Sequence, residues 1–249
     1  MLPHFLKKFE KDLKSYAKKY IKIEAEPVTE NGNLLSSKFA GNPYWPISRE
    51  WPKSNAGLPM ILLAQINFDD VPALADYPTT GILQLFVSLE AWHEMNDFNV
   101  VFHKDMAAEM LTDFSFVTPA MRAESPIGME HSLAFTQAEE WGGTEDFRFD
   151  FLFDGKQPYE YHEQLPDEEQ RIFEELFYAT GHKIGGYGYF TQTDPREFDE
   201  KSKNDVLLLQ IDTADHIMFG DSGIAHIFIN EEHLKNHEFD KAYFYWDCC

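Results

Sequence analysis

Apolar and polar residues alternate along several short segments of this chain. Three of them, ILQLFVS from Ile82, FNVVFHK from Phe98 and HSLAFTQ from His131, are separated by stretches containing glycine and proline. The segment 147–153 places a phenylalanine at every second position. A period of two is typical of strands with one buried face. The pattern predicts four strands here and a largely antiparallel sheet.

Apolar residues at steps of three and four predict two helices. The first covers residues 2–22 and has lysines between its apolar positions, which are Leu2, Phe5, Leu6, Phe9, Leu13, Tyr16 and Tyr20. It either docks on the sheet or binds a membrane surface or a partner, and the acidic remainder of the chain favours docking. The second covers Asp167–Thr180, with acidic residues in its first turn and Gly181 at its end.

Two segments of the chain resemble each other closely. MILLAQIN begins at Met60 and DVLLLQID begins at Asp205, and the blocks around them also match at an offset near 145 residues. Collinear matches at one offset indicate an internal duplication. We therefore predict an α+β fold, mainly antiparallel β, in which a β-rich unit occurs twice (about 37–150 and 182–249). The two units form one compact domain, residues 1–249, with peripheral helices.

Each copy of the repeat carries a glutamine inside an apolar strand, Gln65 in the first and Gln210 in the second. A buried amide without hydrogen-bond partners costs a few kcal/mol. The sequence favours a structural role, in which each amide satisfies irregular backbone, over contact with a ligand.

The charge of the chain is its strongest global property. Lysine and arginine number 21 against 43 acidic residues, giving a net charge of −22. A surface of this sign repels nucleic acid and suits a basic protein partner. The two cysteines, Cys248 and Cys249, are adjacent and cannot build a disulfide framework, and no transmembrane segment or signal peptide is evident. We expect a cytoplasmic protein whose terminal cysteines dock into the body or, alternatively, act as a redox pair.

Seven blocks of the chain lie within residues 37–249: KFAGNPYWP, LLAQINF, GILQLF, HKIGGYGYFTQTDPR, LLLQID, FGDSG and the terminal WDCC. Together they resemble the YwqG-like family of uncharacterised bacterial proteins. The chain departs from the family pattern at Gly188 and Phe219, where proline and tryptophan are expected. The resemblance implies a duplicated, mostly antiparallel β-rich fold. An association of some members with toxin–immunity genes implies a binding role.

Polar residues of the second copy form a candidate pocket. It comprises His182, Tyr187, Gln192, Asp194, Gln210, Asp212 and Asp221. Carboxylates beside an imidazole can bind a divalent cation or perform acid–base chemistry, but their spacing fits no established metal motif. The GDSG sequence at Gly220–Gly223 is similar to the nucleophile segment of serine proteases, yet its position before a strand favours a turn.

These observations support two functional hypotheses. The first is a non-enzymatic, acidic protein-binding module, for example in an immunity-like role. The alternative is a small-molecule hydrolase or metal-dependent enzyme with a site near Asp194, Asp212 and Asp221. The sequence assigns no catalytic residue, no metal-ligand set and no cofactor.

Overall fold

The computed structural model describes residues 2–29, 32–106 and 109–249. Ten strands within these ranges form one sheet. They are β1 (Lys18–Pro27), β2 (Lys38–Phe39), β3 (Ile61–Asn67), β4 (Ile82–Val87), β5 (Phe98–His103), β6 (His131–Glu140), β7 (Lys183–Ile184), β8 (Asp205–Ile211), β9 (Ile224–Asn230) and β10 (Tyr243–Asp247). Neighbours are antiparallel throughout, in the order β10-β9-β8-β7-β1-β6-β2-β3-β4-β5. The expectation of a mainly antiparallel β fold is confirmed.

The helices are short and lie before the first strand or between strands. The α-helices in the described ranges are α1 (Glu10–Leu13), α2 (Pro119–Ala123), α3 (Pro158–His162), α4 (Asp167–Phe177) and α5 (Glu231–Lys235). Short 3-10 helices occur at His4–Phe9, Trp92–Glu94, Pro195–Phe198 and Phe239–Lys241. Every helix in the described part of the chain is too short or too polar to cross a bilayer.

The long strands β1 and β6 pair over ten residues at the centre of the sheet. Four strands extend from each side of this pair, and the edge strands β5 and β10 approach each other, with the rings of Phe98 and Phe244 6.4 Å apart. The sheet is therefore nearly closed. Its interior is filled by the continuous apolar runs of β3, β4, β8 and β9, almost all of whose residues are buried.

The four-strand sets on the two sides have corresponding pairings. Gln65 on β3 lies opposite Lys38 and Gln84, while Gln210 on β8 lies opposite Lys183 and His226. The ladder slips between Leu62 and Ala64 on one side and between Leu207 and Leu209 on the other. The irregularity thus occurs at the same place in both sets.

The predicted N-terminal helix is shorter than its pattern suggested. Helical structure ends at Leu13, and the chain enters β1 at Lys18 instead of continuing to residue 22. From there the buried positions Ile21 and Ile23 are two residues apart, and this period fits a strand paired with β6 and β7. Tertiary pairing outweighs local helical spacing in this segment.

The segment 147–153 forms no strand, so that prediction was wrong. Phe149, Phe151 and Phe153 pack in a second core beneath the N-terminal turns and α4, and Phe149 contacts Phe177 with ring centroids 5.8 Å apart. The backbone turns at its start, where Phe149 N–H donates to Asp146 O at 2.9 Å. The alternation reflects packing against helices, which satisfies the apolar side chains as well as a sheet would.

Other sequence-based elements are confirmed. The segments beginning at Ile82, Phe98 and His131 are β4, β5 and β6, and α4 begins at Asp167 as predicted. This helix ends at Phe177, ahead of the predicted Thr180. The chain leaves it through Ala179, which has a φ of 55°, so the left-handed conformation occurs before Gly181 as well as at it.

Candidate functional site

The two embedded glutamines hold loops in place. Gln65 accepts a hydrogen bond at Oε1 from Tyr44 N–H (2.8 Å). Its Nε2 donates to Leu34 O (2.7 Å) and Ser36 O (2.8 Å). The side chain is fully buried. One amide therefore fixes two separate stretches of backbone, which supports the structural role.

Gln210 makes the corresponding contacts in the second half. Its Oε1 accepts from Tyr189 N–H at 2.9 Å, and its Nε2 donates to Ala179 O (3.0 Å) and Gly181 O (2.8 Å). It too is fully buried. Its position in the predicted pocket is thus explained by the loops that it joins.

His182 and Asp212, also predicted for the pocket, contact each other. Asp212 N–H donates to His182 Nδ1 at 2.9 Å, and Gly181 N–H donates to Asp212 Oδ2 at 2.6 Å. Burial lowers the pKa of His182 to about 4, with a smaller effect from His131. The imidazole is therefore a neutral acceptor near pH 7 and stabilises the turn after β8.

The remaining predicted residues lie in separate environments. Tyr187 donates from its hydroxyl to Tyr16 O at 2.7 Å, and Gln192 donates from Nε2 to Cys248 O at 2.6 Å. Asp221 is exposed in the Gly220–Gly223 turn. That turn is closed by a hydrogen bond from Gly223 N–H to Phe219 O at 3.0 Å, as the position of GDSG before a strand predicted.

Asp194 belongs to a buried network of ion pairs. Arg196 Nη2 lies 2.6 Å from Asp194 Oδ2 and 2.9 Å from Asp146 Oδ2, and Arg148 Nη2 lies 2.5 Å from the same Asp146 oxygen. Burial alone would raise the pKa of Asp146, but the two guanidinium groups hold it well below its usual range. Asp146 also accepts from Gly188 N–H at 2.8 Å. The network thereby anchors the glycine-rich loop after β7.

The predicted residues therefore do not converge on a reaction centre. Asp194 is ion-paired with Arg196, Asp212 accepts a hydrogen bond from the backbone of Gly181, and Asp221 is exposed in a turn. Across residues 2–29, 32–106 and 109–249, no three histidine, cysteine, aspartate or glutamate side chains are grouped closely enough to hold a metal ion.

A different surface combines charge with accessible aromatic rings. We call it the acidic helical surface, and it consists of α3, α4 and the residues between them. It carries one arginine, Arg171, against seven acids: Glu160, Glu163, Asp167, Glu168, Glu169, Glu174 and Glu175. All residues of this segment are described, and within it one acid contacts a basic side chain: Glu174 Oε1 lies 2.9 Å from His162 Nε2. Its negative charge is therefore largely uncompensated by neighbouring side chains.

A cavity of about 340 Å³ opens on the acidic helical surface. Its walls include Glu145, Tyr159, Phe173 and Tyr178, and we call it the aromatic cavity. Tyr159 is 65% exposed. Burial, aided by the charges of Glu174 and Glu145, raises the pKa of Tyr178, so both carboxylates act on the same ring. Rings beside carboxylates form a suitable environment for an organic cation.

Comparison with protein-family models matches residues 37–248 to a domain of unknown function, DUF1963. The chain belongs to the DUF1963 family. In this DUF1963 protein the match runs from just before β2 into the last residues, so the N-terminal helices and β1 lie outside it. No curated protein matches the chain.

Sequence reasoning named Asp194 but missed Asp146, Arg148 and Arg196, its companions in the buried ion network of this DUF1963 protein. Asp146 and Arg148 are separated by one residue, as are Asp194 and Arg196. This repeated Asp-x-Arg spacing was the available signal, but it does not show that the two pairs meet. The acidic helical surface was likewise visible as a charge run, whereas the cavity depends on Glu145 and Tyr178, which are distant in sequence.

Proposed function

We propose that this protein is a non-enzymatic binding module whose acidic helical surface engages a basic protein partner. The aromatic cavity carries the proposal, because it adds a specific receptor to a diffuse negative charge. A lysine or arginine side chain of the partner would enter between Tyr159 and Tyr178. Its charge would then lie beside Glu145.

The two parts of this surface have different physical roles. Exposed carboxylates on α3 and α4 attract a basic partner over a Debye length of about 10 Å at 0.1 M salt, and this attraction is screened as salt rises. The cavity contributes at short range, where an aromatic ring and a cation attract by about 0.5–2 kcal/mol. Aromatic anchors of this kind typically dominate the energy of protein interfaces.

Affinity purification of the intact protein from its native cells tests the proposal. At low salt we expect a basic protein to co-purify and to be lost at high salt. Tyr159→Ala and Glu145→Gln should each weaken capture. Phe198→Ala and Glu94→Gln are matched controls, because Phe198 is 76% exposed and Glu94 is exposed outside this surface. If the control variants lose the partner as completely as Tyr159→Ala and Glu145→Gln do, the aromatic cavity is not the binding site.

We further propose that the two halves of the sheet arose by duplication of one β-rich unit and that the protein is YwqG-like. Support comes from the equal strand order beside β1 and β6, the matching ladder slips, and the equivalent loop contacts of Gln65 and Gln210. A cytoplasmic location is proposed because Cys248 and Cys249 are both unpaired thiols, as a reducing compartment favours.

A further inference from the structure

A second cavity, of about 380 Å³, lies where β1 begins, and we call it the Lys18 cavity. A loop from the first half forms one wall: Tyr77 donates from its hydroxyl to Leu207 O (2.6 Å), and Gln137 Nε2 donates to Ala73 O (2.9 Å). Leu74 on this loop and Leu234 on α5 supply apolar surface. The cavity thus has walls fixed by hydrogen bonds and room for a small molecule.

The ion-paired groups beside the Lys18 cavity balance one another. The positive groups are Arg148, Arg196 and Lys183, and the negative groups are Asp146, Asp194 and Glu140. Lys183 Nζ lies 2.6 Å from Glu140 Oε2, both arginines contact Asp146, and Arg196 alone contacts Asp194. This paired set has no net charge, and the buried carboxylate of Asp205, which accepts from Asn230 Nδ2 at 3.2 Å, lies outside it.

Lys18 adds one positive charge to that neutral set. Among the described residues it has neither an ion-pair nor a hydrogen-bond partner, and its Nζ lies 5.0 Å from the centre of the Tyr187 ring. Burial and the neighbouring charge of Arg148 lower the pKa of this ammonium group. The carboxylates of Asp146, Glu140 and Glu231 act on Lys18 from beyond ion-pair distance, and a partly buried cation without a direct ion pair is costly.

Two carboxylates at the rim do not remove this imbalance. Glu231 forms an ion pair with Lys235 at 3.6 Å, and Asp76 also acts on Lys235. The charge of Glu231 reaches Lys18 as well, but more weakly than that of Arg148, Asp146 and Glu140. The inner part of the cavity therefore presents the Lys18 ammonium group beside the Arg148 guanidinium group.

The corresponding cavity of the first half is arranged differently. It has a volume of about 340 Å³, and its residues Gly41 and Leu62 precede Gly186 and Leu207 of the Lys18 cavity by 145 positions. The cation there, Arg122, is held by Asn42, with Nη2 2.7 Å from Oδ1. Glu130 also lines that cavity and acts on Arg122. The first half therefore gives its cation a direct hydrogen-bond partner, whereas Lys18 has none among the described residues.

We propose that the Lys18 cavity binds a small organic anion, with one carboxylate or phosphate group on an apolar body. The anionic group would lie between Lys18 Nζ and the guanidinium group of Arg148. The body would contact Leu74 and Leu234. This site is distinct from the aromatic cavity, and the proposal does not depend on protein binding.

Calorimetric titration of the full-length protein with hexanoate and phenyl phosphate tests the proposal, with 1-hexanol as the uncharged control. Saturable binding of either anion below about 10 mM is expected, because ligands with few atoms bind in the millimolar range. Hexanol should bind at least about tenfold more weakly. Binding of hexanoate alone assigns the carboxylate class, and binding of phenyl phosphate alone assigns the phosphate class.

Variants separate the site from the rest of the surface. Lys18→Met should weaken anion binding at least about tenfold. Lys18→Arg should retain it, and Lys22→Met, at an exposed position on the same strand, should leave it unchanged. Thermal unfolding of each variant checks that it folds. If neither anion binds, if hexanol binds as tightly, or if folded Lys18→Met binds like wild type, the proposal is overturned.

Discussion

The replacement of His226 by glutamine should make the protein less sensitive to acid. His226 is fully buried and donates from Nε2 to Tyr189 O at 2.7 Å. The position paired with Gln65 in the other half is occupied by Gln84, whose Nε2 donates to Tyr44 O at 2.6 Å. A glutamine at position 226 can therefore supply the hydrogen-bond donor that the Tyr189 carbonyl requires, but unlike histidine it does not titrate.

The magnitude follows from the pKa of the histidine. Burial, aided by the charges of Arg196 and Lys183, lowers the pKa of His226 to about 3, although the Tyr189 carbonyl opposes the shift. In the unfolded chain the pKa is about 6.5. Below pH 6.5 the unfolded state takes up a proton that the native state excludes, so stability falls as the pH falls. The loss is about 1.4 kcal/mol per pH unit, or about 2 kcal/mol at pH 5.

Urea unfolding of both proteins between pH 7.5 and 5 measures this difference. Burial lowers the pKa values of His103 and His182 to about 4, and they contribute in the same direction in both proteins. Loss of the ring contact with Phe190, 4.6 Å between centroids, shifts the variant by an amount independent of pH. His4→Gln, at an exposed position, is the control. If the unfolding free energy of His226→Gln depends on pH as steeply as that of the wild type, the reasoning is refuted.

Three further substitutions test the packing account through urea unfolding at pH 7. Gln65→Leu should cost roughly 3–5 kcal/mol, because it removes the hydrogen-bond partners of backbone groups in two segments, and Gln164→Leu at an exposed position should cost little. Arg196→Met should cost roughly 3–5 kcal/mol by leaving two buried carboxylates with fewer counter-charges, and a neutral effect would contradict the network. Gly41→Ala should cost more than Gly57→Ala. Both have a φ near 80°, but a Cβ at Gly41 meets Glu130 whereas one at Gly57 meets nothing, so equal costs would refute the close contact.

The sequence revealed the strands that are buried on both faces. Continuous apolar runs such as MILLAQIN and DVLLLQID have no competing helical period, and both form strands of the sheet interior. The failures have a common cause. The apolar residues within 18–22 and 147–153 have spacings that fit either a strand or a helix. Only the tertiary surroundings decide whether each segment pairs in the sheet or packs against helices.

The candidate site was harder to predict for a different reason. Gln210 was singled out because a polar residue interrupts an apolar strand, and His182 and Asp212 because an imidazole beside carboxylates can bind a cation. Each proves to bond to nearby loops. The ion network joins Asp146 to Arg196 across 50 residues, and no local pattern indicates such a contact. The aromatic cavity is likewise assembled from residues near 145, 159 and 178, so its chemistry becomes visible only in the folded chain.

The most direct test of the central claim is the dissociation constant of the co-purified partner. It is measured for the wild type and for a double variant that combines Glu145→Gln with Tyr159→Ala. The account predicts binding that weakens steeply between about 50 and 500 mM salt. It also predicts at least about tenfold weaker binding by the folded double variant at low salt. An affinity independent of salt and unchanged in the double variant would contradict the acidic helical surface as the binding site.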